Sequence, residues 1–348
     1  MDAAPSTALR MLSGFAGLSP KRKGLILAAA GAVAFSGKAI VAKLLYKMGL
    51  DAVAAVGLRM TLAFPLFIFL AWWASRDSAA PALTKRQRWQ IAGLGFCGYY
   101  LASTLDFLGL QYISASLERA ILYLNPTLVL LLSAIFLKHK IRPMQLVSVA
   151  LAYLGVAVVF LHDWDVAQLV SAHQTQHQHG LSGAEALALG SALVLGSALS
   201  YAIYLMGSSE LVQQLGSLRL VSYASCLACV LCMSQWAITF WVSDGSVGDI
   251  RGLPWQGHAL SAINAVACTV LPIWLVMRGV QLLGASLASQ VGMVGPLSTI
   301  WMAAWWLDEP VTWRLVVGTA AILLGIVLLS RSTMPSKMAE TTELKKVA

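Results

Sequence analysis

The chain consists mainly of long apolar runs that are separated by short polar segments. A helix needs about 20 residues to cross the ~30 Å hydrocarbon core of a bilayer. The runs do not alternate every second residue, which favours helices over the strands of a membrane β-barrel. The pattern therefore predicts an all-α integral membrane protein with ten transmembrane helices. The predicted spans are Gly24–Leu45, Ala52–Ala74, Trp89–Leu110, Ala115–Leu137, Pro143–Leu161, Gly183–Met206, Ser217–Val242, Pro254–Arg278, Ala285–Leu307 and Val311–Ser330.

Lysine and arginine cluster on one side of these spans. Loops rich in these residues stay in the cytoplasm, whereas the opposite loops here carry acids such as Asp51, Asp163 and Asp249. Both termini are therefore expected in the cytoplasm, with residues 1–23 as an N-terminal tail and 331–348 as a basic C-terminal tail. The inner clusters are Lys21, Arg22 and Lys23; Lys85, Arg86 and Arg88; Lys138, Lys140 and Arg142; and Arg331, Lys337, Lys345 and Lys346.

The second half of the chain repeats the first. Gly109–Phe160 aligns without gaps on Gly279–Ser330, a shift of 170 residues that matches Gly109 to Gly279. The shift also aligns Pro126 with Pro296, which chance matching of apolar helices would not explain. Because five helices per repeat is an odd number, the second copy must be inverted in the membrane. The loops agree, since Lys138-His139-Lys140 corresponds to Asp308-Glu309-Pro310, a reversal of charge.

The composition agrees with a membrane protein and limits its chemistry. Hydrophobic residues make up 58% of the chain, charged residues 11%, and mean hydropathy is +0.74. The formal net charge of +9 is spread over short loops, which argues against nucleic-acid binding. Cys226, Cys229 and Cys232 resemble an iron–sulfur spacing, but successive sulfurs would drift by about 60° on a helix, so packing is favoured. We expect no metal and no cofactor.

Several residues resemble those of a known family. Ala285-Ser286-Leu287 followed by Gly295-Pro296, and Leu307-Asp308-Glu309-Pro310 followed by Gly318 and Gly325, are similar to the drug/metabolite transporter (DMT) superfamily, and within it to the bacterial EamA-type permeases. Lys138-His139-Lys140 departs from the glutamate that many relatives carry there. The resemblance implies two five-helix EamA-like repeats, 24–162 and 183–330, joined by an extracytoplasmic His- and Gln-rich linker, 163–182. It also implies export of small metabolites through a bacterial inner membrane.

Among the ionisable residues inside the predicted spans of the first repeat, five form a candidate layer: Lys38, Arg59, Asp106, Glu118 and Arg119. Counted along their helices, all five lie in the outer half of the membrane. Charges at that depth usually face a bundle interior or a wet cavity and are paired, for instance Lys38 with Asp106 or Arg59 with Glu118. We expect this layer to line the substrate cavity or its outer gate. Alternatively, Glu118 favours a helix N-terminus and Arg119 snorkels to the interface.

Polar and aromatic residues extend this candidate site. Tyr99, Ser103 and Asp106 share one face of the third helix, and Glu118 shares a face of the fourth with Asn125. In the second repeat the comparable positions hold uncharged residues, among them Asn264, Trp274, Ser286 and Gln290. The excess of one positive charge favours a ligand with a carboxylate or phosphate, and Tyr99, Tyr123 and Trp274 could stack on an aromatic moiety. Interhelical packing is the alternative for each of them.

Alternating access needs moving parts and, in a coupled transporter, an ion. Pro126 and Pro296 each interrupt a backbone hydrogen bond within a helix and are hinge candidates, or else static kinks. Asp106 or Glu118 could carry a coupling proton, because a carboxylate in a low-dielectric cleft binds protons more readily than one in water.

Two further readings concern the linker and the class of protein. Ser171–His179 contains three histidines, but no cysteine or acid lies at ligand spacing, so a solvated linker is favoured over a metal site. A secondary transporter of amino-acid-like or other organic ions, in contact with lipid, is the leading function. A non-transporting sensor or channel, or a membrane-embedded enzyme, is the rival; no nucleophile–base pair or phosphate-binding glycine loop supports the enzyme. The sequence does not indicate an oligomeric state.

Overall fold

The computed structural model describes residues 18–76, 83–136, 138, 141–173, 182–283, 291–292 and 294–333. Nearly all of these residues are helical. The helices are α1 (Pro20–Lys47), α2 (Ala52–Ala74), α3 (Lys85–Leu110), α4 (Ala115–Phe136), α5 (Pro143–His173), α6 (Gly183–Leu215), α7 (Ser217–Val242), α8 (Trp255–Leu283), α9 (Val294–Leu307) and α10 (Trp313–Thr333).

Helix lengths fit a protein that spans a membrane several times. Eight helices, α1 to α8, are long and apolar enough to cross a bilayer. Two shorter apolar stretches, Leu297–Leu307 in α9 and Trp313–Leu329 in α10, follow within the part of the chain that the structure describes. The predicted all-α membrane fold is confirmed, while the described residues give eight helices of full spanning length rather than ten.

Polar residues between the apolar runs start the helices. The Asp51 carboxylate accepts a hydrogen bond from Ala54 N at 2.9 Å, and Ser114 accepts one from Leu117 N at 2.9 Å. α6 ends at Leu215, and the next residue, Gly216, has a φ of 78° in the left-handed region that glycine adopts without strain. Short polar segments thus mark the helix ends as the sequence predicts.

α5 continues farther than its apolar run. The predicted membrane span ends at Leu161, whereas the helix itself extends to His173 and so includes the first half of the predicted linker. No glycine or proline interrupts the chain between Gly155 and His179, and the Asp165 side chain beyond the apolar run is exposed. The remainder of that linker, 174–181, lies outside the described residues.

α4 is broken where the sequence places a proline. Its first segment ends at Leu122 and its second begins at Asn125. Pro126 has no N–H to donate to the carbonyl oxygen of Leu122, four residues earlier, and the Asn125 side-chain amide donates to that oxygen instead, at 2.6 Å. The side chain of one residue therefore replaces the backbone bond that its neighbour cannot make.

The two repeats pack on each other with approximate two-fold symmetry. α5 lies against α10 and α2 against α7, while the contact of α1 with α8 has its counterpart in that of α6 with α3. A Cβ on Gly155 would lie 2.6 Å from the Gly318 carbonyl oxygen, and a Cβ on Gly325 would lie 2.8 Å from that of Ser148. Adding 170 to Gly155 and Ser148 gives Gly325 and Gly318, so one contact is the symmetry copy of the other.

Apolar side chains cover the outside of the bundle. Exposed tryptophans concentrate near helix ends, where their amphipathic rings fit the membrane interface. They include Trp72 and Trp89 at the predicted inner face, and Trp241, Trp255 and Trp313 at the outer face. This surface fits a lipid environment.

Candidate functional site

A cavity of about 450 Å³ lies between the two repeats, and we refer to it as the central cavity. Its volume falls in the range of small-molecule sites. α1 to α4 of the first repeat and α6 to α8 of the second form its wall. Nine of the residues that the sequence analysis singled out line this cavity: Lys38, Arg59, Tyr99, Ser103, Asp106, Arg119, Tyr123, Asn125 and Pro126.

A chain of alternating charges forms one side of this wall. Lys38 Nζ lies 2.5 Å from Asp106 Oδ2 and 3.9 Å from Glu118 Oε1, and Arg119 Nε lies 3.7 Å from Glu118 Oε2. All four side chains are buried, so each charge depends on its neighbours for stabilisation. The expected pair of Lys38 with Asp106 is present. The expected pair of Arg59 with Glu118 is not, because Glu118 lies behind the wall between Lys38 and Arg119.

Arg59 is a further cation of the cavity wall, and it forms no ion pair with the four charged residues just described. It is 2% exposed, and its guanidinium carbon lies 4.5 Å from the centre of the Phe107 ring. Its Nε and Nη2 atoms have no hydrogen-bond partner among the described residues, and no carboxylate there lies within ion-pair distance. A buried guanidinium that lines a cavity without a carboxylate is an available anion-binding group.

Tyrosines line the part of the cavity next to these charges. Tyr99 donates a hydrogen bond from its hydroxyl to that of Tyr204 at 3.1 Å, and the rings of Tyr201 and Tyr204 stack with centroids 5.5 Å apart. Tyr123 donates to the Gly292 carbonyl oxygen in the second repeat at 3.2 Å. The cavity therefore offers aromatic faces from both repeats.

Two π-helical segments border the cavity at equivalent places in the repeats. They span Phe96–Leu101 in α3 and Val266–Val270 in α8, and adding 170 to Phe96 gives Val266. In α8, Pro272 lacks an N–H, and Thr269 Oγ1 donates to the Asn264 carbonyl oxygen at 2.8 Å. Such segments are frequent at functional sites, and hydropathy contains no signal for them.

Some predicted site residues lie elsewhere. Trp274 does not line the cavity; it packs against the hydrophobic core, with its ring centre 5.9 Å from the Arg278 guanidinium carbon. Gln290 lies outside the described residues. Pro296 is in α9, and its side chain is not described. The second repeat supplies polar lining residues that sequence reasoning missed: Ser197, Tyr201, Ser225 and Thr269.

At the predicted outer end, the two repeats are joined by hydrogen bonds. The Glu309 carboxylate accepts from Ala115 N at 2.8 Å and from Ser116 Oγ at 2.8 Å, at the N-terminus of α4. Lys47 Nζ donates to the Leu307 carbonyl oxygen at 3.3 Å. A carboxylate at a helix N-terminus is stabilised by the helix dipole and by the free N–H groups. These contacts tie the two repeats together at that end of the bundle.

The described residues contain no group of three or more His, Cys, Asp or Glu side chains that could hold a metal ion. The five cysteines are free thiols, and Cys229, Cys232 and Cys268 are buried. The polar groups that line the central cavity include an ammonium, guanidinium groups, a carboxylate and phenols.

Comparisons with known proteins agree with this geometry. The chain is 30% identical to the uncharacterized transporter YcbK of Bacillus subtilis over 305 residues. This alignment covers 87% of this chain and 91% of YcbK. The chain is 26% identical over 293 residues to an uncharacterized transporter of Archaeoglobus fulgidus, covering 81% and 90% of the two chains. A solved structure titled "Crystal structure of protein" has a TM-score of 0.57 at 15% identity and covers 90% of this chain and 99% of its own, which supports the fold.

The family model described as "EamA-like transporter family" matches residues 22–161 and 188–331. The two matched segments correspond to the two halves that pack around the central cavity. The resemblance to EamA-type permeases is thereby confirmed, and the chain belongs to the EamA-like transporter family of multi-pass membrane proteins.

Proposed function

We propose that this protein is a secondary transporter that exports a small organic ion through the central cavity by alternating access. The observation that carries the proposal is the buried charged wall between two repeats, at the place where inverted-repeat transporters bind their substrates. Charges cost free energy inside a membrane, and a chain that retains five of them beside a cavity uses them for a ligand or an ion.

The two ends of the cavity differ in a way that suits loading from the cytoplasm, the first step of export. Glu309 and Lys47 tie the repeats together at the predicted outer end. In the other direction the lining continues to Val276 and Met277, in the half of α8 that the positive-inside rule assigns to the cytoplasm. A cavity whose repeats are tied together at the outer end can be loaded from the cytoplasm. The basic clusters at Lys21–Lys23 and Lys85–Arg88 support cytoplasmic termini in a bacterial inner membrane.

Movement between the two states requires places where helices can bend. The break in α4 at Pro126 and the two π-helical segments adjoin the cavity, and each already departs from regular α-helical hydrogen bonding. We propose these sites as the hinges, with Pro296 as the counterpart of Pro126 in α9.

Proton coupling would use the carboxylates of the charged wall. Asp106 faces Lys38, and Glu118 faces both Lys38 and Arg119. Protonation of either carboxylate would release Lys38 or Arg119 from its ion pair and change the charge of the cavity by one unit. Such a change could link proton entry to substrate release.

Efflux from overexpressing cells tests the proposal. Cells are loaded with a panel of metabolites and drugs, and export and resistance are compared for the parent, Lys38→Ala and Asp106→Asn. We expect at least one compound to be exported by the parent and to accumulate with either variant. Reconstituted protein under an imposed pH gradient then tests coupling, with Asp106→Asn and Glu118→Gln as variants.

The exposed ion pair of Asp249 with Arg251 provides a matched control. Arg251 Nε lies 3.0 Å from Asp249 Oδ1, and hydrogen bonds from the Arg251 side chain hold the pKa of Asp249 below its ordinary value. Asp249→Asn and Arg251→Ala remove the same charges outside the cavity and should leave export unchanged. Export of no compound by the parent would contradict the transport proposal. Unchanged proton dependence in both carboxylate variants would exclude the coupling role alone.

A further inference from the structure

We propose that Arg59 binds the carboxylate of the substrate, and that the substrate is a small monocarboxylate with an apolar or aromatic body. This inference rests on the proposed transport function and adds the chemical class of the solute. It begins with the guanidinium of Arg59, which is buried at the cavity wall with Nε and Nη2 unbonded in the described structure.

An unpaired guanidinium in this position requires a partner. Burial of a charge without compensation is costly, and the contact with the Phe107 ring stabilises only one face of the group. The edge of a guanidinium presents N–H donors that match the two oxygens of a carboxylate. Lys38 already binds Asp106 at 2.5 Å, so Arg59 is the cation that a ligand can approach without displacing an existing ion pair.

The charge balance selects a single negative charge. The five charged residues of the candidate layer comprise three cations, Lys38, Arg59 and Arg119, and two carboxylates, Asp106 and Glu118, which leaves an excess of one positive charge among them. One carboxylate neutralises that excess. A phosphate monoester carries about −1.5 to −2 at neutral pH and would overshoot it. An amine would add a fourth cation to the same cavity.

The rest of the wall selects the body of the ligand. Next to the charged side lie aromatic and aliphatic groups that include Phe67, Tyr99, Tyr201, Ile273 and Met277. The cavity of about 450 Å³ accommodates a small ring or short alkyl chain. A carboxylate at Arg59 with an apolar group against these side chains satisfies both surfaces.

Binding to the purified full-length protein in detergent tests the inference. Isothermal titration calorimetry compares phenylacetate with its amide (phenylacetamide), with 2-phenylethylamine and with phenyl phosphate; butyrate and hexanoate extend the series. We expect an acid to bind about tenfold to a hundredfold more tightly than its amide, since a hydrogen bond between charged groups is stronger than one to a neutral group. Arg59→Met should reduce that ratio to about twofold or less.

Two controls keep the result interpretable. Arg59→Lys retains the charge but not the paired donors and should give an intermediate ratio, and Arg251→Met removes an exposed arginine and should leave the ratio unchanged. Preference for the amide, the amine or the phosphate, or binding of none of the acids, overturns the inference. An Arg59→Met protein that is monodisperse and keeps the acid preference overturns it as well. Efflux of a cationic or neutral compound by the parent would refute it while leaving the transport function intact.

Discussion

The packing of α5 on α10 obeys the symmetry of the two repeats, whereas the central cavity does not. Where α5 packs on α10, the contact of Gly155 with the Gly318 carbonyl oxygen has a symmetry copy in the contact of Gly325 with the Ser148 carbonyl oxygen. At the cavity, Asp106, Glu118 and Arg119 correspond under the same shift of 170 residues to Val276, Ala288 and Ser289. The contact of α5 with α10 therefore keeps small residues in both repeats, whereas the cavity wall keeps the same helices but not the same side chains.

The difference follows from what each region contacts. A helix that packs on its own symmetry copy must be complementary to itself, so a small residue at one contact is needed at its counterpart too. A cavity wall faces a solute that has no such symmetry. Charges can therefore be confined to one repeat, while the other supplies hydroxyl and aromatic groups such as Ser225 and Tyr201. Selectivity is then expected to depend on the first repeat.

The largest effect should come from breaking the charged wall. Lys38→Met leaves Asp106 without its partner at 2.5 Å and Glu118 with Arg119 alone. Removing one member of a buried ion pair typically costs about 3–5 kcal/mol, so we expect a strong decrease in the thermal unfolding midpoint of the detergent-purified protein. Lys38→Met combined with Asp106→Asn should recover part of the loss.

Ser208 provides the comparison in the second repeat, since it lies 170 residues after Lys38. Its hydroxyl donates to the Leu205 carbonyl oxygen within the same helix, and Ser208→Ala should cost less than about 1 kcal/mol. Equal destabilisation by Lys38→Met and Ser208→Ala would show that the charged wall has no special energetic role.

The next effect concerns the symmetric helix contact. Gly155→Ala places a methyl group 2.6 Å from a backbone oxygen of α10 and forces the helices apart, at a cost of about 1–3 kcal/mol. Gly93→Ala is the control, because nothing lies within 4 Å of a Cβ at that position of α3. We expect Gly155→Ala to lower the thermal unfolding midpoint and Gly93→Ala to leave it unchanged. An unchanged unfolding midpoint for Gly155→Ala would mean that α5 and α10 do not approach each other this closely at Gly155.

How much the sequence predicts differs in the same way between the two regions. The helical character of the apolar runs, the repeat and the pair of Lys38 with Asp106 follow from hydropathy, from alignment and from the cost of lone charges in lipid. The position of Arg59 apart from Glu118 depends on how α2 is rotated relative to α4, which no pattern within one helix specifies. Tyr201 and Ser225 lie in ordinary apolar runs and become lining residues only through contacts between the repeats. The π-helical segments have no signal in hydropathy.

A smaller effect is expected at the outer closure. Glu309→Gln keeps an acceptor for Ala115 N but loses the charge that interacts with the N-terminus of α4. Loss of roughly 1–2 kcal/mol would raise the population of the outward-open state about 5- to 30-fold. A membrane-impermeant thiol reagent applied from outside should then label Ser103→Cys correspondingly faster.

The labelling measurement needs two controls. The Glu309→Gln protein without Ser103→Cys gives the background labelling of the native cysteines. Glu210→Gln, combined with Ser103→Cys, removes an acid near the predicted cytoplasmic end of α6, far from Glu309. Unchanged labelling of Ser103→Cys in the Glu309→Gln protein would show that this carboxylate does not hold the outer side closed.

The smallest effect should come from the polar lining of the second repeat. The Ser225 hydroxyl has no hydrogen-bond partner in the described structure, and the Thr269 hydroxyl is bound to a carbonyl oxygen of its own helix. Ser225→Ala and Thr269→Val should therefore change export of an identified substrate by less than about fivefold, a difference below roughly 1 kcal/mol. Transport assays on both variants beside Asp106→Asn measure the contrast directly. If Ser225→Ala abolished export as Asp106→Asn is expected to, selectivity would belong to both repeats and the asymmetry of charge would not be an asymmetry of function.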